Sequence, residues 1–135
     1  MATLAVDTPR TYEKGDMNDV PVIASDIIYE GAAVSENGSG YARPLNTADN
    51  YFLGFAQSQA DNSSGSAGDI NVKLVRKGSI KLAVTSVAID DIGKIVYATD
   101  DNTFDITSTT SPKVGTVKRF VESGVAIVDF INNVA

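Results

Sequence analysis

Apolar and polar residues alternate in short runs along most of this chain, and glycines punctuate the runs. Asp69-Ile70-Asn71-Val72-Lys73-Leu74 puts Ile70, Val72 and Leu74 on one face and Asn71 and Lys73 on the other, the period-2 signature of a half-buried strand. Ile80, Leu82 and Val84 repeat the pattern opposite Lys81 and Ala83. The intervening Arg76-Lys77-Gly78-Ser79 has hairpin length, which predicts that these two strands pair antiparallel. Phe52-Leu53-Gly54-Phe55-Ala56 reads as a short apolar strand, and residues 94–98, 114–121 and 125–131 as further strands. Upstream, Ile27, Tyr29 and residues 31–34 lead into Asn37-Gly38-Ser39-Gly40, and the chain resumes at Tyr41-Ala42-Arg43-Pro44. The Asn-Gly pair predicts a type I′ hairpin turn. Residues 57–68 include Asp61-Asn62-Ser63-Ser64-Gly65-Ser66, which reads as a solvated loop and as the site most tolerant of insertion.

Three features recur in order. A Gly opens a strand at Gly31 and again at Gly93, 62 residues on; a Gly interrupts an apolar strand at Gly54 and again at Gly115, 61 residues on. Residues 67–74 parallel residues 123–130 at an offset of 56. The expectation is an all-β fold, a compact barrel or sandwich of about eight to ten short strands built from two tandem repeats. Those repeats span residues 27–76 and 89–131, within a β-rich body at 22–135. Residues 1–21 are too sparse in apolar side chains for a core strand and read as an extended N-terminal arm.

Composition sharpens this picture. The chain holds 15 Val and 11 Ile against 5 Leu, and β-branched side chains favour pleated strands over helices. It has no Cys and no His, which removes disulfides, thiolate or imidazole metal sites and any Ser-His-Asp or Cys-His mechanism. Residues 1–68 carry 3 basic and 9 acidic groups and residues 69–135 carry 8 of each. A net charge of −6 without a basic run argues against nucleic-acid binding. No apolar run approaches the ~20 residues that cross a bilayer, and the amino terminus lacks the two regions of a secretory signal, so synthesis in a cytoplasm is expected.

Candidate chemistry is thin. Asp90, Asp91, Asp100, Asp101 and Asp105 form an acidic cluster, but Asp100-Asp101-Asn102-Thr103-Phe104-Asp105 lacks the central Gly and terminal Glu of an EF-hand. Solvated turns explain it better than calcium binding or an Asp-pair hydrolase. Lys73, Arg76, Lys77 and Lys81 form one local basic group, of the kind that exposed strand faces carry against edge pairing. Five tyrosines offer a stacking platform for sugar rings, a weak signal in a chain without Trp. No phosphate-cradling loop is present. No catalytic, cofactor-binding or metal-ligating residue is assigned.

The order Glu30-Gly31-Ala32-Ala33-Val34, Asn37 to Pro44, Phe52-Leu53-Gly54-Phe55-Ala56, Gly68 to Leu74, Lys77-Gly78-Ser79-Ile80, Asp91-Ile92-Gly93-Lys94-Ile95-Val96-Tyr97-Ala98 and Val114-Gly115-Thr116-Val117 resembles the small capsid decoration, or cement, proteins of tailed bacteriophages. The resemblance covers residues 25–131 and consists of glycine spacing and strand pattern. It implies a β-rich virion protein on the outer surface of an assembled head. There it would bind the major capsid protein, as a homotrimer at three-fold or quasi-three-fold sites, and stiffen the shell against packaged DNA. Within that expectation Thr8, Pro9, Arg10, Tyr12 and Lys14 of the arm are the candidate capsid-binding residues. A receptor- or glycan-binding module of a phage fibre is the alternative.

Overall fold

The computed structural model describes residues 5–7, 15–108 and 110–132. Among them the chain forms twelve strands, one 3₁₀ turn at Ile89–Asp91 and no α-helix. The first unit contains β1 (Met17–Pro21), β2 (Asp26–Ile28), β3 (Ala33–Glu36), β4 (Ala42–Pro44), β5 (Phe52–Ala56), β6 (Ala60–Asn62) and β7 (Asn71–Val75). The second contains β8 (Lys77–Thr85), β9 (Ile95–Asp100), β10 (Thr103–Asp105), β11 (Lys113–Glu122) and β12 (Val125–Ile131). The count exceeds the eight to ten expected because β2, β4, β6 and β10 have three residues each, too few for alternation to register.

The second unit is a closed barrel in the order β10-β8-β12-β11-β9, shut by parallel pairing of Phe104 with Val84. The first unit is a sheet in the order β1-β7-β5-β3-β4. It curls until Val22, one residue past β1, bridges in parallel to Ala42 of β4. The bridge at 22 and 42 recurs 62 residues later at 84 and 104. Other pairings recur as well. Ser35 faces Arg43 and Glu36 faces Ala42, as Tyr97 faces Asp105 and Ala98 faces Phe104. Val34 pairs with Gly54 and Ser35 with Phe52 across a bulge; Val96 pairs with Gly115 and Tyr97 with Lys113 across another. Asn18 and Val20 meet Leu74 and Val72, as Ile80 and Leu82 meet Val128 and Ala126. The five-stranded sheet of the first unit and the barrel of the second share one strand order and register, and the β2–β6 pair belongs to the first unit alone.

The structure differs from the expectation in five places. Met17–Pro21, within the stretch read as an arm, is β1 and pairs with β7 along its whole length. The structural equivalence therefore opens at β1 and β8 rather than at residues 27 and 89, and Leu74 matches Val128, an offset of 54 rather than 56. β7 and β8 do not form a hairpin: β7 lies between β1 and β5, and β8 between β12 and β10. Arg76 is the junction between units, and the apolar faces flanking it fill two different interiors. The turn at Asn37 is not type I′, since positive φ falls on Gly38 and Gly40. The Glu36 carboxylate accepts from both of those amides, and Asn37 Oδ1 accepts from the amides of Ser39 and Tyr41. Finally, Ala60–Asn62 pairs with β2. Asn62 is buried, its side-chain amide donating to the carbonyls of Ile23 (2.8 Å) and Ser66 (3.0 Å). Within residues 57–68 only Ala60–Asn62 is strand, and the loop after it runs from 63 to 70.

Two buried clusters follow from this arrangement. Val22, Ile28, Val34, Val72 and Leu74 fill the first unit. Val84, Val96, Val117, Ala126 and Val128 fill the second. Ala33, Leu45, Phe52 and Phe55 lie on the outside of the first unit yet belong to the second cluster. Phe55 stacks edge-on against Phe130 at 4.9 Å between centroids and lies 6.0 Å from Phe104, and Phe52 sits 6.4 Å from Phe130. The outer β3/β5 face of the first unit thus closes over Phe104 and Phe130 of the second.

Candidate functional site

The five arm residues expected to bind a capsid, Thr8, Pro9, Arg10, Tyr12 and Lys14, lie outside the described residues. The root of that segment is fixed at the inter-unit junction. The Arg76 amide donates to the Asp16 carbonyl (2.9 Å), and its guanidinium donates to the Gly15 carbonyl and to Asn132 Oδ1 (3.1 Å). The Asn132 amide returns a bond to the Arg76 carbonyl (2.7 Å). One arginine therefore ties the entry of β1 to the exit of β12. Of the expected basic group, only Lys77 and Lys81 share β8; Lys73 sits on β7 opposite Asp19.

The acidic cluster is dispersed among turns. Asp91 accepts from the Ala88 amide (2.7 Å) and pairs with Lys94 (2.8 Å). The Lys94 hydrogen bond and the amide bond hold its carboxyl below the usual range. Asp100 accepts from the Asn102 amide, and Asp105 from those of Thr107 and Ser108. Among the described residues no group of three or more acidic side chains could hold a metal ion. Asp101 stands apart. Burial, then the charge of Asp100, pushes its carboxyl up, and it lines a cleft of about 440 Å³ with Tyr29, Glu30, Gly31, Ala32 and Asn102.

A buried polar group that pattern reading missed lies beneath β3 and β4. Asp49 accepts from Arg43 Nε (2.8 Å) and Nη2 (2.5 Å) and from the Ser35 hydroxyl (2.5 Å). The Ser35 oxygen in turn accepts from the Asn46 amide (3.1 Å). Burial alone would raise the Asp49 carboxyl, but the bonds from Arg43 and Ser35 outweigh it and the net shift is downward. Every oxygen here is engaged within the fold, so the group acts as an internal clamp. Spacing gave no hint of it, since residues 35, 43 and 49 meet only after two turns of chain, one between β3 and β4 and one after β4.

The outer surface of the second unit carries an apolar concavity. A groove of about 370 Å³ runs over β9, β11 and β12, lined by Ile95, Lys113, Val114, Gly115, Thr116, Ile131 and Asn132. Ile95 is 39% and Ile131 52% exposed. Gly115 makes the groove's floor close-packed: a Cβ there would overlap the Asp129 carbonyl. Among the described residues the ring contacts join Phe52, Phe55, Phe104 and Phe130 and include no tyrosine. No family model matches the chain, and no curated protein matches its sequence.

Proposed function

We propose that the chain is a capsid decoration protein that binds the outside of an assembled tailed-phage head and stabilises it against internal DNA pressure. Its partners are the major capsid protein and two further copies of itself. The observation that carries this reading is where the resembling segments fall in the fold. Glu30-Gly31-Ala32-Ala33-Val34 and Phe52–Ala56 build the β3/β5 pair, and residues 91–98 and 114–117 build its equivalent, β9/β11. The likeness therefore rests on the paired scaffold itself and not on scattered surface positions. A cement protein works through stiffness and through surface shared among neighbours, and two β units joined by a common aromatic core supply a stiff body. A trimer engages its lattice through three equivalent contacts, so modest individual affinities give slow release.

Heads stripped of their decoration provide the test. Added protein should co-sediment with them, saturate at a fixed ratio per lattice site and raise the temperature at which DNA escapes. Binding that fails to saturate, or leaves DNA release unchanged, rejects the proposal.

One observation favours the fibre-module alternative: Tyr29, 58% exposed, stands over a cleft with Asp101 and Asn102, a combination of ring and hydrogen-bonding groups that suits a sugar. Binding to host cells or immobilised glycans that Tyr29→Ala abolishes would support it.

A further inference from the structure

The two units present the same outer face, but only one is covered. In the first, Ala33, Phe52 and Phe55 are sealed by the second unit, and the Ala33 amide donates to the Asp101 carbonyl (2.9 Å). The equivalent positions in the second are Ile95, Lys113 and Thr116, and these border the open groove. We propose that this β9/β11/β12 face docks the first unit of a second copy of the chain, so that copies join head to tail. The proposal rests on the self-association in the functional reading above and names the surface that makes it.

Three features support that occupant. The internal interface shows that this face of the fold is one that another unit covers. The changes between the two copies of the face suit a contact that forms after folding: Phe52 becomes Lys113 and Phe55 becomes Thr116, which keeps it soluble, while Ile95 and Ile131 keep an apolar centre. Interfaces that assemble from stable parts are polar at the rim and apolar at the middle. Charge also fits. Residues 17–75 carry 2 basic and 7 acidic groups against 6 and 7 over residues 77–131. A groove rimmed by Lys113 thus attracts the more acidic half of a neighbour. A head-to-tail contact of this kind is heterologous and closes into a ring when the rotation per step allows. Three chains would place six similar units around one axis.

The test is the mass of the full chain in solution by sedimentation equilibrium, with uptake by stripped heads measured in parallel. Wild type should sediment as a trimer. Ile95→Asp combined with Ile131→Asp should raise the concentration for half-association at least tenfold while keeping the wild-type circular dichroism and melting profile. Val121→Asp, at the other end of β11 and 42% exposed, should leave the mass unchanged. Lys113→Glu, which leaves the apolar centre intact, should weaken association at low salt and recover as salt rises. A monomeric wild type, or a folded double variant of unchanged mass, overturns the inference. Unchanged mass with lost head uptake overturns it too, by assigning the groove to the shell. If wild type assembles as proposed but ignores heads, the functional reading fails and this inference stands.

Discussion

Asp49 lies beneath the β3–β4 pair with both carboxylate oxygens occupied, and its ionised form is the one the fold holds. Its folded pKa sits below that of an unfolded aspartate. Its contribution is therefore complete above the unfolded value, near ~4, and is lost as pH falls through the lower folded value. Arg43→Ala should cost about 3 kcal/mol at pH 7, because it strands a buried charge. Urea titration at a series of pH values checks this, and the deficit should shrink under acid as Asp49 becomes neutral. Asp101 has the opposite sign. Burial, then the charges of Asp100 and Asp26, raise its carboxyl, so folding disfavours its ionised form and the associated stability declines as pH climbs from the unfolded value through the raised one. Asp101→Asn, which keeps the main-chain carbonyl that Ala33 uses, should melt above wild type at pH 7 and equal it below about pH 4. Neither residue was legible as a site from the sequence. Asp101 reads as one turn aspartate among five, and nothing along the chain joins residue 49 to 43 and 35.

At the scale of elements, alternation located the interior-facing residues of β7 and β8, because those strands are long enough to show a period of two, and apolar runs marked the limits of β5 and β12. It failed wherever neighbour choice mattered. A break of hairpin length predicts pairing of adjacent strands, yet β7 and β8 belong to different sheets, since the repeat boundary falls between them. Phe52 and Phe55, three residues apart, should point to opposite faces of a regular strand. They share one because the chain bulges at Leu53 and Gly54, where φ is 141° and a Cβ would press on the Val75 carbonyl. The same bulge at Val114 and Gly115 carries the second unit through the equivalent bend. Gly115→Ala should therefore force β11 and β12 apart, at roughly 3 kcal/mol. Urea unfolding of the variant measures that loss, and hydrogen exchange should show the protection lost first along the 115–117 and 128–130 amides.

For the molecule as a whole, the question is whether two copies of one fold unfold as one body. Their interiors are separate clusters, but the first unit gives Ala33, Leu45, Phe52 and Phe55 to the cluster of the second. It does not keep that face for solvent. Arg76 adds a polar tie on the same side, holding Gly15 and Asn132 to the junction. Phe55 is the centre of the shared layer, in edge contact with Phe52 and Phe130 and tilted against Phe104. Wild type should accordingly melt in a single calorimetric transition whose van't Hoff and calorimetric enthalpies agree. Phe55→Ala removes about 4 kcal/mol of burial and aromatic contact at the layer that couples the units, while leaving the interior cluster of the first unit intact. The expected result is two resolved transitions, with the first unit melting earlier because its interior depends on smaller side chains such as Ala42 where the second has Phe104. A single transition merely displaced to lower temperature would mean that the coupling resides in the Arg76 junction instead, and Arg76→Ala would then be the variant that splits it.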